Sequence, residues 1–104
     1  MDVFVVFDDV DLPLGAIRIR PQGGDGCHKG LENIIYQIQT NQFPRMRLGI
    51  AVFSEDVRPS EKYVLSPFNG DSKKEADVMI GTCADAMQNI LMHGLNQTMN
   101  HFNS

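Results

Sequence analysis

Two adjacent carboxylates follow the most apolar stretch of the sequence. Asp8 and Asp9 come directly after Val3 to Phe7, an unbroken run of β-branched and aromatic residues. Such a run predicts an interior strand at the centre of a sheet, and the carboxyl ends of such strands are where open α/β sheets place catalytic groups. An aspartate there can orient a histidine so that the imidazole deprotonates water. The alternative, which position alone favours, is that both acids only cap a turn.

A glycine-rich loop offers a second kind of chemistry. The segment GGDGCHKG, residues 23–30, contains Gly26, His28 and Lys29 and precedes a predicted helix, whose exposed N–H groups favour phosphate or carboxylate oxygens. It matches neither the dinucleotide pattern nor the P-loop, because no Ser or Thr follows Lys29. Cys27 beside His28 could also pair a thiol with a base, although sequence neighbours rarely have the required geometry. An ordinary glycine turn remains the simpler interpretation.

Arginines on two predicted strands form the third candidate. Ile17 to Arg20 alternates with period two, which places Arg18 and Arg20 on one face, and Arg47 lies in a further strand predicted over residues 45–53. Residues 16–50 hold five basic and two acidic residues, whereas the whole chain has a net charge of -4. Guanidinium groups on neighbouring strands would bind phosphate locally, but a solvated basic sheet face explains the same pattern.

The remaining periodicities predict helices. Apolar spacing indicates a helix from His28 or Lys29 to Gln39, and another short helix from Leu95 to Phe102. Between them, Ser72 and Glu75 resemble a capping box that opens a long helix. Its predicted apolar stripe ends before Gly94 and consists of Ala76, Ile80, Cys83, Met87, Ile90 and Leu91.

These elements favour an α/β fold with a mixed sheet flanked by helices. A chain of 104 residues and 11.6 kDa has the size of one small domain, and we expect residues 1–104 to be one domain from which the N-terminal part of the fold is missing. An apolar first strand would need more neighbours than this chain supplies. No apolar stretch approaches the roughly 20 residues of a membrane span, so a cytoplasmic protein is expected.

Five motifs, in order, resemble the bacterial-type peptidyl-tRNA hydrolase family. FDDVDLPLG at residues 7–15 is similar to HDDLDLPLG of the family, and GGDGCHKGLENI at 23–34 to GGxGGHNGLKSI. FPRMRLGIA at 43–51 is similar to FPRLRIGIG, YVLSPF at 63–68 matches directly, and MNHFN at 99–103 resembles MNRFN. The resemblance covers nearly the whole chain.

The resemblance implies a fold, an activity and roles for particular residues. The family hydrolyses the ester between peptide and tRNA, which recycles tRNA, and it uses water without a metal ion or other cofactor. By resemblance, Asp8 orients the catalytic histidine. His28, with Gly26 and Lys29 beside it, helps to form the substrate site, while Arg20 and Arg47 contact tRNA phosphate. The expected partner is therefore peptidyl-tRNA, and the family is typically monomeric.

Three departures from the family pattern limit this expectation. The N-terminal half of the family pattern, including the histidine that acts as general base, does not occur in this sequence. Lys29 replaces the asparagine of the HNG motif, so a group that only donates stands where an amide donates and accepts. Cys27 replaces a glycine. We therefore expect the chain to be the C-terminal portion of a hydrolase domain and to be inactive alone.

Two other functions remain open from the sequence. A non-catalytic RNA-binding relative of the same fold would keep its basic residues for phosphate contact. A protein-interaction module would instead pair the apolar first strand with the edge of a partner's sheet.

Overall fold

The fold is a three-stranded mixed sheet with helices, seen in a computed structural model that describes residues 3–26, 28–51 and 70–103. The elements in chain order are β1 (Val5–Pro13), β2 (Ile17–Arg20), α1 (Lys29–Ile38), β3 (Arg45–Ala51), α2 (Gly70–His93) and α3 (Leu95–Phe102). This order confirms the α/β prediction. The predictions for Cys27, for residues 52–53 of the third strand and for the YVLSPF motif lie outside the described residues.

The strand order β1-β3-β2 places β3 at the centre. β1 runs parallel to β3 with Val5 opposite Arg45 and Asp9 opposite Gly49, while β2 runs antiparallel with Arg20 opposite Arg45. The prediction that the first strand is central is therefore wrong for the described chain. β1 occupies an edge, and Val3 and Val6 are each more than a third exposed. The apolar sequence of β1 therefore does not place it at the centre of the sheet. The central strand is β3, which pairs with both other strands although it contains Arg45, a charged residue that is buried and hydrogen-bonded.

The first strand is also longer than its apolar run. The sequence predicts that the strand stops near Phe7, but β1 continues through both aspartates to Pro13. The ladder to β3 is regular as far as Asp9, becomes irregular between Asp9 and Pro13, and resumes at Pro13 opposite Ala51. Proline is tolerated at this position because an edge strand needs no amide donor on its open side. Asp8 and Asp9 thus lie within a strand rather than after it.

One face of the sheet forms the main core with the two C-terminal helices. Ile17, Ile19 and Met46 pack against buried residues of α2, and Leu95 and Met99 of α3 pack against the same cluster. The short helix predicted over 95–102 is confirmed. Asn103, just beyond it, accepts a hydrogen bond from the Ile19 amide at 2.6 Å and donates one to the Ile19 carbonyl at 2.9 Å. The tail therefore satisfies the outer edge of β2 as a neighbouring strand would.

The buried stripe of α2 differs from the predicted one. Ala76 and Cys83 are buried as expected, but Ile80, Met87 and Leu91 are 59%, 44% and 88% exposed. The helix instead buries Ala76, Met79, Cys83 and Ala86. Met79, Cys83 and Ala86 belong to the core cluster, so the buried side of α2 is offset from the predicted stripe.

Two further details of α2 follow from the structure. The helix begins at Gly70, so Ser72 lies inside it and the predicted capping box is wrong. Cys83 is a free, buried cysteine, and burial raises the pKa of its thiol. No helix in the described ranges combines the length and the apolar character that crossing a bilayer requires.

Candidate functional site

Asp8 and His28 contact each other beside the glycine loop. Nε2 of His28 lies 3.3 Å from Oδ1 of Asp8, and the Phe7 ring meets the imidazole edge-on with ring centroids 4.9 Å apart. The His28 side chain is 26% exposed and that of Asp8 is 43% exposed. β1 carries the carboxylate and the start of α1 carries the imidazole, so two motifs that are 20 residues apart in the sequence meet here.

The orientation of His28 follows from its position as the N-cap of α1. Its Nδ1 accepts a hydrogen bond from the Leu31 amide at 3.1 Å, which satisfies one of the amides that a helix start leaves open. Because Nδ1 accepts, the ring proton of a neutral His28 resides on Nε2, where it points toward the carboxylate. Gly30 makes this geometry accessible, since a Cβ there would lie 3.0 Å from Cε1 of the imidazole.

A cavity of about 270 Å³ lies against the glycine loop, and Gly23, Gly24 and Gly26 line it. Arg20 of β2, Arg47 of β3 and Gly26 of the loop all contribute to its wall. Gly26 has a φ of 57°, which lies in the left-handed region. Of the predicted cluster of Arg18, Arg20 and Arg47, the structure places Arg20 and Arg47 in the wall of one cavity, and Arg18 is not among its lining residues.

The charges in the cavity wall cancel formally. Its charged lining consists of Arg20, Arg45, Arg47, Asp9, Asp11 and Asp25, which makes three of each sign. An anionic ligand would therefore depend on how individual guanidinium groups are oriented rather than on net charge.

Asp9 has both carboxylate oxygens engaged. Oδ2 accepts a hydrogen bond from Nε of Arg47 at 2.6 Å, and Oδ1 accepts one from the Asp11 amide at 2.7 Å. The Asp9 side chain is 13% exposed and that of Arg47 is 32% exposed. This pair links the irregular end of β1 to the central strand.

Arg45 holds the loops at both ends of α1. It is only 2% exposed, and its guanidinium donates to the carbonyls of Phe43, Gly24 and Asn41 at 3.2, 2.9 and 2.9 Å. The guanidinium carbon also lies 4.4 Å from the centre of the Phe43 ring. Burial lowers the pKa of this guanidinium. Arg45 therefore fixes the glycine loop against the chain that leads into β3.

The predicted site residues fall into two neighbouring groups. Arg20, Arg47 and Gly26 line the cavity, whereas Asp8 pairs with His28, and Lys29 is exposed as the first residue of α1. Sequence reasoning considered Asp9 only together with Asp8, as an acid that could orient a histidine or cap a turn, and it assigned no role to Arg45. Period-two spacing could have indicated Asp9, because Phe7, Asp9 and Asp11 all line the cavity. No sequence signal separates buried Arg45 from the more exposed Arg47 two residues later.

The fold and this site define an α/β protein with a carboxylate–imidazole pair near a cavity lined by arginines. The family model for peptidyl-tRNA hydrolase matches residues 1–104, and the chain belongs to that family. It is 39% identical over 104 residues to the peptidyl-tRNA hydrolase of Persephonella marina, covering 95% of this chain and 52% of the relative. It is 42% identical over 103 residues to that of Pseudothermotoga lettingae, covering 99% and 54%.

Solved structures give the same result. The crystal structure of peptidyl-tRNA hydrolase from Acinetobacter baumannii superposes with a TM-score of 0.82 at 27% identity, covering 97% of this chain and 50% of that one. The chain therefore spans about half the length of these relatives.

Proposed function

We propose that this chain supplies the RNA-binding wall, together with Asp8, of a site that hydrolyses the ester of peptidyl-tRNA. The observation that carries the proposal is the convergence of Arg20 and Arg47 with the glycine loop on one cavity. Guanidinium groups suit phosphate oxygens because they can donate two parallel hydrogen bonds. Asp8 contacts His28, which lies in the same loop segment and is the N-cap of α1.

The arginine roles predict a specific loss of RNA binding. Arg20→Ala and Arg47→Ala should each weaken binding of an RNA hairpin that mimics a tRNA acceptor stem by about tenfold, the typical effect of losing a charge-assisted hydrogen bond. Fluorescence anisotropy over a series of salt concentrations would measure this, and each variant should also show a shallower salt dependence.

The matched control for this experiment is Lys73→Ala. Lys73 is exposed on α2, pairs with Asp77 at 2.9 Å and does not line the cavity. The Lys73→Ala substitution removes one positive charge outside the proposed RNA-binding wall, so its effect on RNA binding should be small. An equal loss in all three variants would show that only net charge matters and would contradict a localised phosphate site.

Hydrolysis by the 104-residue chain alone is not expected. A general base needs a free lone pair, but Nδ1 of His28 is occupied by the Leu31 amide and Nε2 carries the proton that faces Asp8. We expect no release of peptide from peptidyl-tRNA above the rate without protein, while the Persephonella marina enzyme, assayed in parallel, is active. Turnover by the purified chain that disappears in Asp8→Asn would contradict this expectation.

A non-catalytic RNA-binding relative is the second candidate. One observation favours it: the exposed cation Lys29 begins α1, where it can contact phosphate. A chimera that joins the preceding half of the Pseudothermotoga lettingae relative to this chain separates the two functions. Turnover that is lost in Asp8→Asn supports the hydrolase, whereas a folded, RNA-binding but inactive chimera supports the second candidate.

A further inference from the structure

The pairing of Asp9 with Arg47 leaves one end of the guanidinium available. Asp9 takes Nε at 2.6 Å, and within the described chain neither Nη group of Arg47 has a hydrogen-bond partner. The side chain is about one third exposed and lines the cavity. The donors that remain for a ligand are therefore the two Nη groups, which together match two oxygens of one phosphate.

Asp9 is itself held in place. Its second oxygen accepts the Asp11 amide, and its backbone lies opposite Gly49 in the ladder to β3. A carboxylate that is 13% exposed and bonded through both oxygens has little rotational freedom. Arg47 is consequently oriented before any ligand arrives, so less side-chain entropy is lost on binding.

We propose that Asp9 is a positioning residue that orients the Nη end of Arg47 toward a phosphate group of bound RNA. This inference rests on the proposed function, because it assigns to Asp9 the orientation of an arginine in the RNA-binding wall. It makes a prediction opposite to simple electrostatics. Removing a negative charge from the wall should strengthen binding of a polyanion, whereas removing the residue that orients Arg47 should weaken it.

The test compares variants with the same change in charge. Asp9→Ala should weaken binding of the acceptor-stem hairpin about fivefold, as expected for partial loss of one oriented charge-assisted contact. Asp77→Ala removes one carboxylate from α2, outside the cavity wall, and it should leave binding unchanged or slightly tighter. Asp9→Asn keeps one acceptor oxygen, which cannot accept from both Nε of Arg47 and the Asp11 amide, so it should weaken binding by less than Asp9→Ala does.

A double-mutant cycle identifies the route of the effect. In an Arg47→Ala background, Asp9→Ala should cause no further loss, because its effect passes through a side chain that is already absent. Circular dichroism melts verify that each variant is folded. If Asp9→Ala does not fold, Asp9→Glu replaces it, since the longer side chain keeps the charge but displaces the carboxylate.

The outcomes separate this inference from the proposed function. If Arg47→Ala weakens binding but Asp9→Ala does not, or if Asp9→Ala costs the same in the Arg47→Ala background, the positioning role is wrong and the RNA-binding wall stands. If the original chain does not bind the hairpin, or neither arginine variant changes binding, the proposed function fails and the positioning role fails with it.

Discussion

Replacing Gly49 by alanine is expected to destabilise the chain by about 3 kcal/mol, at the upper end of the usual cost of overpacking. A Cβ at this position would lie 2.0 Å from the carbonyl oxygen of Pro13 and 2.9 Å from that of Leu12. Both atoms belong to the backbone, so relief requires β1 to move away from β3. The free energy of unfolding, obtained from urea denaturation followed by circular dichroism, measures the effect.

Gly81→Ala is the matched control. Gly81 lies in the interior of α2, and nothing stands within 4 Å of a Cβ placed there. The same substitution should therefore stabilise the chain by about 0.5 to 1 kcal/mol through helix propensity. Equal unfolding midpoints for the two variants would contradict the close approach of β1 to β3. Because Gly49 faces Asp9 in the ladder, this approach also sets where the Asp9 carboxylate lies.

The second large effect is expected at Arg45. Arg45→Lys keeps the positive charge, but an ammonium group cannot reproduce a planar fork that donates to three carbonyls. Leaving one buried and two part-buried carbonyls without their donor should lower the free energy of unfolding by about 3 kcal/mol. Thermal and urea denaturation of the variant would measure the loss.

Arg20→Lys makes the same chemical change at an exposed arginine. The one described hydrogen bond of the Arg20 side chain is to the carbonyl of Ile19, and the residue is exposed at the end of β2. Its unfolding free energy should stay within about 0.5 kcal/mol of the original chain. If Arg45→Lys is equally mild, the described bonds of Arg45 do not anchor the glycine loop.

The spacing of apolar residues predicted the helices and strands well, because secondary structure depends largely on residues that are close together in the sequence. The alternation of Ile17 to Arg20 appears as β2 with buried isoleucines, and the apolar spacing after His28 appears as α1. The resemblance to peptidyl-tRNA hydrolases is also a property of the sequence, and the family match over residues 1–104 confirms it. The spacing of five ordered motifs was therefore sufficient for fold class and family.

Long-range packing decided what the pattern left open. An apolar run predicts burial, but it does not identify which strand pairs with two others. In the structure, β3 rather than β1 is the central strand of the sheet. Likewise, an apolar stripe does not specify its register on the sheet. Ala86 is fully buried while its neighbour Met87 is 44% exposed, so burial follows the side of α2 that belongs to the core cluster rather than side-chain hydropathy.

The site divides in the same way. The sequence alone determined the residue types that meet there: carboxylates on the first strand, arginines on the other two, and a glycine loop with a histidine at a helix start. Only the tertiary structure decided that Asp9 pairs with Arg47, that Arg45 is buried against three carbonyls, and that His28 faces Asp8. The physical reason is that hydrogen-bond partners are chosen by strand register and loop closure, which join residues that are distant in the chain.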